Sequence, residues 1–187
     1  MTEIIEAGKV NIPLLARRVR AGEVFIYPTD TVYGIGCDAL NEEAVKRVFD
    51  AKGRDFKKPL SVAFKDVPQL LRFVDVDEGQ RREMGGKLPG PYTFIVKNKR
   101  IPKTVTAGLE TVGVRVPGHD LIRELIRESG VPIVTTSANL AGGPAPSSIH
   151  EIPGEMIEMV DFVIDAGKCG SGKPSAIIDL TTGERLR

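Results

Sequence analysis

Hydroxyls, glycines and cations crowd into one stretch of this chain, from Tyr27 to Arg54. It reads Tyr27-Pro-Thr-Asp-Thr-Val-Tyr-Gly-Ile-Gly36, then a short helical pattern, then Lys52-Gly-Arg54, with Lys57, Lys58 and Pro59 close behind. Thr29, Thr31 and Tyr33 offer hydroxyls, and Gly34 and Gly36 let a backbone approach a ligand closely. Guanidinium and ammonium groups facing such a loop suit a phosphorylated ligand, because they make charge-assisted bonds to phosphate oxygens. Taken singly, Thr, Gly and Pro are ordinary loop residues, and Lys/Arg runs are ordinary solvated faces. The pairing points to a site, since so short a helix brings both ends to one edge of a sheet.

Four more groups have compatible chemistry: Thr111 with Arg115, Thr135, Ser137 with Asn139, and Ser175. Each follows or lies within an apolar strand. Arg115 sits inside the alternating run Val112-Gly-Val-Arg-Val116, and an Arg on an inner face needs an anion, since unpaired burial is costly. A structural ion pair and a ligand carboxylate are both open for it. The set offers cations for phosphates, hydroxyls and an amide for a ribose, base or amino acid, and one Arg for a carboxylate. It includes no obvious nucleophile. That combination suits phosphoryl or nucleotidyl transfer, where positioning and charge neutralisation do most of the catalysis. Gly167-Lys-Cys-Gly-Ser-Gly-Lys173 nearly spells a phosphate loop, but Pro174 stands where Ser or Thr should hold magnesium, and a strand pattern follows instead of a helix.

Periodicity and punctuation place the elements that carry these residues. Val24–Tyr27 reads as a strand stopped by Pro28. Asn41 caps a helix through Ala51, with Glu42 and Glu43 at its positive end and Gly53 as its stop. Leu60–Phe64, Tyr92–Val96, Val112–Val116, Phe162–Ile164 and Ser175–Leu180 read as strands. Asp120–Ser129 is an amphipathic helix closed by Gly130; the strand Val131–Val134 then delivers Thr135 to Asn139 into a Gly/Pro loop. Interleaved strands and helices, with hairpin-like spacing in the second half, argue for one α/β domain over 1–187 with a mixed, twisted sheet and flanking helices.

Composition narrows the function classes. The chain of 187 residues is 41% hydrophobic and 27% charged, as a globular domain should be. A net charge of +1 excludes a simple polybasic nucleic-acid binder, so any RNA contact must be local. Two cysteines, Cys37 and Cys169, and two histidines, His119 and His150, give neither a disulfide framework nor zinc-like spacing. No apolar run approaches a membrane span and no signal-peptide start is present, so a cytoplasmic location is expected.

With these motifs in place, the sequence resembles the YrdC-like threonylcarbamoyl-adenylate synthases over nearly its whole length. The resemblance rests on Pro28-Thr-Asp-Thr-Val-Tyr-Gly34, on Lys52-Gly-Arg54 together with Ser137-Ala-Asn139, on Val114-Arg-Val-Pro117, on Ser175 before the last strand and on Leu186-Arg187. It implies a YrdC/RibB-like fold. It also implies that L-threonine and bicarbonate form a carbamate, which attacks the α-phosphate of ATP to give threonylcarbamoyl-adenylate and pyrophosphate. A tRNA-modifying transferase then moves the threonylcarbamoyl group to the adenosine beside the anticodon. Carried over, Lys52 and Arg54 are the catalytic pair, and Lys52, Arg54, Lys58, Thr111, Ser137, Asn139 and Arg187 bind ATP. Thr31, Tyr33, Arg115, Thr135 and Ser175 bind threonine. Magnesium rides with the triphosphate and not in a protein cage. Two positions depart from the pattern: Ala63 stands where many relatives have a threonine-contacting His, and Ala145 replaces a second hydroxyl after the Ser-x-Asn loop. Longer relatives carry a C-terminal domain with a linker that closes over the site, so the resemblance implies that an intermediate made here is either more exposed to water or protected by a partner protein.

Two other readings compete. Lys46, Arg47, Lys52, Arg54, Lys57 and Lys58 against Asp50 and Asp55 leave a local excess of four positive charges (six minus two), enough for a non-catalytic tRNA or double-stranded RNA module. The third is a sensor that binds ATP without turnover.

Overall fold

Apolar β-branched runs and capped helices alternate along the chain, and each becomes an element. The computed structural model describes all 187 residues. The strands are β1 Glu3–Glu6, β2 Phe25–Tyr27, β3 Gly34–Gly36, β4 Ser61–Ala63, β5 Val74–Asp75, β6 Tyr92–Asn98, β7 Thr111–Arg115, β8 Ile133–Ser137, β9 Phe162–Asp165, β10 Ala176–Asp179 and β11 Glu184–Arg185. The helices are α1 Ile12–Arg20, α2 Glu42–Lys52, α3 Val67–Leu70, α4 Glu78–Gly85, α5 Lys103–Thr106, α6 Asp120–Ser129 and α7 Gly154–Glu158.

The helix ends follow local chemistry. Asn41 Oδ1 accepts the Ala44 N–H at 3.1 Å, and Gly53 ends α2 in the left-handed region at φ +54°. Asp77 and Gln80 form a reciprocal capping box on α4. Gly130 closes α6 at φ +75°.

The strands form one path in the order β1-β9-β2-β3-β8-β4-β7-β6-β10-β11, with β5 also on β6. The sheet is mixed: β1/β9, β2/β9, β4/β7 and β6/β10 are parallel, and the other pairs are antiparallel. β8 is the seam, with Gly34 opposite Ser137 on one side and Ser61 opposite Thr135 on the other.

Two cores cover the two sheet faces. The smaller joins α1 and α6 through Leu15, Val19, Ile122 and Leu125 to Phe25, Tyr27, Ala63, Ile133 and Phe162. Phe25 stacks on Phe162 at 5.0 Å. The larger gathers Val45, Val48 and Phe49 of α2 with Ile26, Val62, Val114 and Val134. Side chains alternate across a sheet, so β8 presents Ile133, Thr135 and Ser137 on one face. Ile133 lies under α1 and α6; Thr135 and Ser137 lie further along that face. Ala63 and Ser61 of β4 repeat the change from apolar to hydroxyl.

Several boundaries differ from the sequence reading. Thr135 to Ser137 belong to β8 and not to a loop, because Thr136 and Ser137 find backbone partners in Ile35 and Gly34. Gly34–Gly36 is correspondingly a strand, although its glycines read as loop. Lys97 and Asn98 extend β6 beyond Val96, and Lys103 opens α5.

Gly36 is required where β3 meets β8, since a Cβ there would lie 2.1 Å from Val134 O. Gly36→Ala is expected to cost about 1–3 kcal/mol or more. Gly85→Ala, in open space within α4, should gain about 0.5–1 kcal/mol. Urea-unfolding midpoints of the two variants check both signs.

Candidate active site

Beyond the reach of α1 and α6, the hydroxyl-bearing part of the sheet face becomes the floor of a cavity of about 240 Å³. Six consecutive strands contribute: Gly34 from β3, Thr135 to Ser137 from β8, Ser61 from β4, Arg115 from β7, Thr93 from β6 and Ile177 from β10. The walls are Thr29, Thr31, Val32 and Tyr33, Arg54 with Pro59 and Leu60, and Pro174, Ser175 and Arg187. The sequence reading put these residues on a rim of strand-end loops; the structure lays much of the site across the strands themselves. The floor stays shallow because Gly113 carries no side chain: a Cβ there would meet Ser61 Oγ at 2.6 Å.

Arg115 occupies the inner face anticipated for it. Its Nη2 donates to Asp30 Oδ1 at 2.6 Å and its Nη1 to Thr31 Oγ1 at 3.4 Å, with both side chains of the ion pair almost wholly buried. Thr29 Oγ1 accepts the N–H groups of Thr31 and Val32 and donates to Val32 O at 2.7 Å, so the loop is closed on itself. Arg54 donates to the carbonyls of Lys58 (3.2 Å) and Pro59 (2.9 Å), which holds its guanidinium at the cavity wall. Arg187 Nε donates to Ser175 O at 2.9 Å, and Ser175 Oγ bonds Thr93 Oγ1 at 2.8 Å. Burial, then the charge of Arg115, lowers the Arg187 pKa, so these two cations sense one another. Three guanidiniums therefore border one small cavity, with the Asp30 carboxylate behind Arg115.

Lys52 is placed differently from a free phosphate ligand. It is 2% exposed, and its ammonium donates to Ser137 O, to Asn139 O at 2.7 Å and, more weakly, to Asn139 Oδ1 at 3.4 Å. Ser137 Oγ also donates to Asn139 Oδ1, and Asn139 Nδ2 donates to Gly143 O at 2.6 Å. The Ala141 N–H returns to Lys52 O at 3.0 Å. Lys52 and Asn139 thus brace the segment that presents Ser137 to the cavity, and neither lines it. Burial, then the neighbouring Arg54, lowers the Lys52 pKa to about 8.

The remaining positions divide. Thr31, Tyr33, Arg54, Arg115, Thr135, Ser137, Ser175 and Arg187 line the cavity. The Tyr33 hydroxyl is engaged elsewhere: it donates to Gly167 O at 2.9 Å and accepts the Ala166 N–H at 3.0 Å. Lys58 contributes its carbonyl to Arg54, while its side chain is exposed. Thr111 starts β7, four residues from Arg115 and outside the lining. Ala63 is fully buried under α1 and α6, opposite Arg115 in register. Ser61, Thr93 and Asp30 were missed as candidates. Their signal was present: hydroxyls inside apolar strand runs, and a carboxylate beside the loop that Arg115 reaches.

The near-phosphate-loop segment has its N–H groups committed. Cys169, Ser171 and Gly172 donate to the carbonyls of Ser147, Asp30 and Thr31. No helix follows it; β10 does.

The Sua5/YciO/YrdC family model, described as telomere recombination, matches residues 17–187. A Methanocaldococcus jannaschii protein is 40% identical over 176 residues, 94% of this chain and 83% of its own length. A Pyrococcus abyssi protein named threonylcarbamoyl-AMP synthase is 39% identical over 182 residues, 96% of this chain and 53% of its own length. The chain therefore spans about half of that longer relative. The crystal structure of P. abyssi Sua5 complexed with L-threonine superposes with a TM-score of 0.86 at 34% identity, over 97% of this chain and 54% of that one.

The Lys52 pKa has a stability consequence. A lysine whose folded pKa lies below its unfolded value of 10.5 opposes folding fully below pH 8, and that penalty is relieved as pH rises from 8 to 10.5. The stability of the wild type relative to Lys52→Met should rise across that window, by up to about 3 kcal/mol. Urea titrations of both proteins at intervals from pH 7 to 10.5 read it; a flat difference would contradict the assignment.

Proposed function

We propose, on the premise that this chain belongs to the Sua5/YciO/YrdC family, that it is an L-threonylcarbamoyladenylate synthase and thus a nucleotidyltransferase. The threonine amine adds to the carbon of bicarbonate with loss of water, giving a carbamate. A carbamate oxygen then bonds to the α-phosphorus of ATP, and the bond to pyrophosphate breaks. The observation that carries this reading is the cavity itself: three guanidiniums and a floor of hydroxyls, without a protein nucleophile beside a base. In such a reaction the attacking atom belongs to the substrate, and the protein supplies position and charge.

Arg115 takes the threonine carboxylate, with Thr31, Thr135 and Ser175 around the amino acid. Tyr33 shapes this pocket through its ring. Arg54 and Arg187 neutralise the triphosphate, and Ser137, braced by Lys52 and Asn139, faces the nucleotide. Lys58 and Thr111 flank it. Magnesium enters with ATP as part of that substrate. The threonylcarbamoyl-adenylate passes to a tRNA-modifying transferase.

The RNA-module reading loses support from the ion pairs. Lys46 pairs with Glu43 and Arg47 with Asp161, Lys52 is buried, and Arg54 turns to the cavity wall. Of its six cations, only Lys57 and Lys58 remain. No helix is long and apolar enough to cross a membrane.

Pyrophosphate should be released from ATP only when threonine and bicarbonate are both supplied, and without tRNA. Arg54→Ala should lower kcat/KM by about 10²–10³-fold with little change in the unfolding midpoint. Equal release without threonine sinks the reading. Binding of tRNA in the absence of ATP, weakening steeply with salt and unaccompanied by turnover, would favour the RNA module.

A further inference from the structure

We propose that Asp30 is a positioning residue for the amino-acid subsite: it aims the Arg115 guanidinium, and the glycine-rich segment 167–173 locks it from behind. The inference rests on the synthase reading and names a device within that site.

Arg115 has five N–H donors, and the fold engages two of them, one on Asp30 Oδ1 and one on Thr31 Oγ1. Contacts from two neighbouring residues fix both the reach and the plane of the fork. An almost buried guanidinium without its carboxylate would be driven toward water, since an uncompensated buried charge is strongly unfavourable. Asp30 therefore keeps Arg115 in the cavity wall before any substrate carboxylate arrives. Its second oxygen, Oδ2, makes no hydrogen bond and lies beside Gly118, where a Cβ would stand 3.1 Å away.

The backbone behind Asp30 is equally constrained. Ser171 N–H donates to Asp30 O at 3.2 Å and Gly172 N–H to Thr31 O at 3.0 Å. Gly170, at φ +60°, lies so close that a Cβ would meet Thr31 O at 2.2 Å and Thr31 N at 2.6 Å. Tyr33 ties the start of the same segment down through Gly167 O. The segment resembling a phosphate loop thus spends two of its amides, those of Ser171 and Gly172, on the dipeptide Asp30-Thr31, which in turn holds Arg115. Arg115 lines the cavity with Asp30 behind it, and the supports of the pair converge on two consecutive residues.

The test is steady-state pyrophosphate release by the full chain, titrating threonine and ATP separately. Asp30→Asn keeps the shape and removes the charge; it should raise the threonine KM about tenfold to a hundredfold and move the ATP KM by less than about threefold. Gly118→Ala is the milder variant should Asp30→Asn fold poorly. Its methyl presses on Oδ2 from an exposed turn, and it should raise the threonine KM several-fold at an unchanged unfolding midpoint. Gly170→Ala should show the same split between the two substrates. Three results overturn the proposal while leaving the synthase reading intact: both KM values unmoved, both rising together with a falling midpoint, or a threonine KM that falls. The last would make Asp30 a competitor for Arg115. Absence of threonine-dependent release by the wild type sinks the reading and the proposal together.

Discussion

A lysine ammonium buried in a protein is tolerable only if oxygens replace its water, and at Lys52 those oxygens belong to Ser137 and Asn139. That one requirement joins the end of α2 to the end of β8. It brings the basic stretch to the hydroxyl floor, and it determines which way Ser137 and Arg54 face. Arg54 then satisfies its own donors on the carbonyls of Lys58 and Pro59, so the loop after α2 folds back along the cavity wall. The charge that the motif appeared to offer directly to phosphate is used to hold the segment that presents Ser137 to the cavity.

The same economy recurs on the side of the cavity bordered by Arg115 and Arg187. Arg115 is steadied by Asp30 and Thr31, Ser175 by Thr93, and Arg187 by the carbonyl of Ser175. Each group that faces the cavity is held by a partner that does not react. Preorganised charge of this kind needs little reorganisation when a phosphoryl bond is exchanged. It also lets three guanidiniums border one cavity, because each is held by an acceptor within the fold.

The floor depends on where the helices stop. On the face shared by Ile133, Thr135 and Ser137, and by Ala63 and Ser61, apolar residues lie where α1 and α6 cover the sheet. Hydroxyls begin where that cover ends. A strand buried along its whole length by helices would have kept the apolar pattern, and the sheet would have had no room for a ligand. Gly113 keeps the surface low between Ser61 and Thr93, and Gly34 continues the lining on β3.

Much of this was legible in the chain. Caps at Asn41 and Asp77, the stops at Gly53 and Gly130, and the strands around Ile26, Val62, Val114 and Ile164 follow from side-chain chemistry acting within a few residues. So did the need of Arg115 for an anion, because a charge inside an apolar strand carries its own demand. The partner that meets the demand, Asp30, lies 85 residues away. The strand character of Gly34–Gly36 was equally invisible, since glycines are weak strand formers, and Thr135–Ser137 extends β8 where it finds that glycine strand's backbone. The division of labour between Arg54, which lines the cavity, and Lys52, which does not, has the same origin. Sequence determines which groups are charged and which segments fold locally; only the tertiary structure decides which charges border the cavity, because burial forces a charge such as that of Lys52 to find its oxygens within the fold.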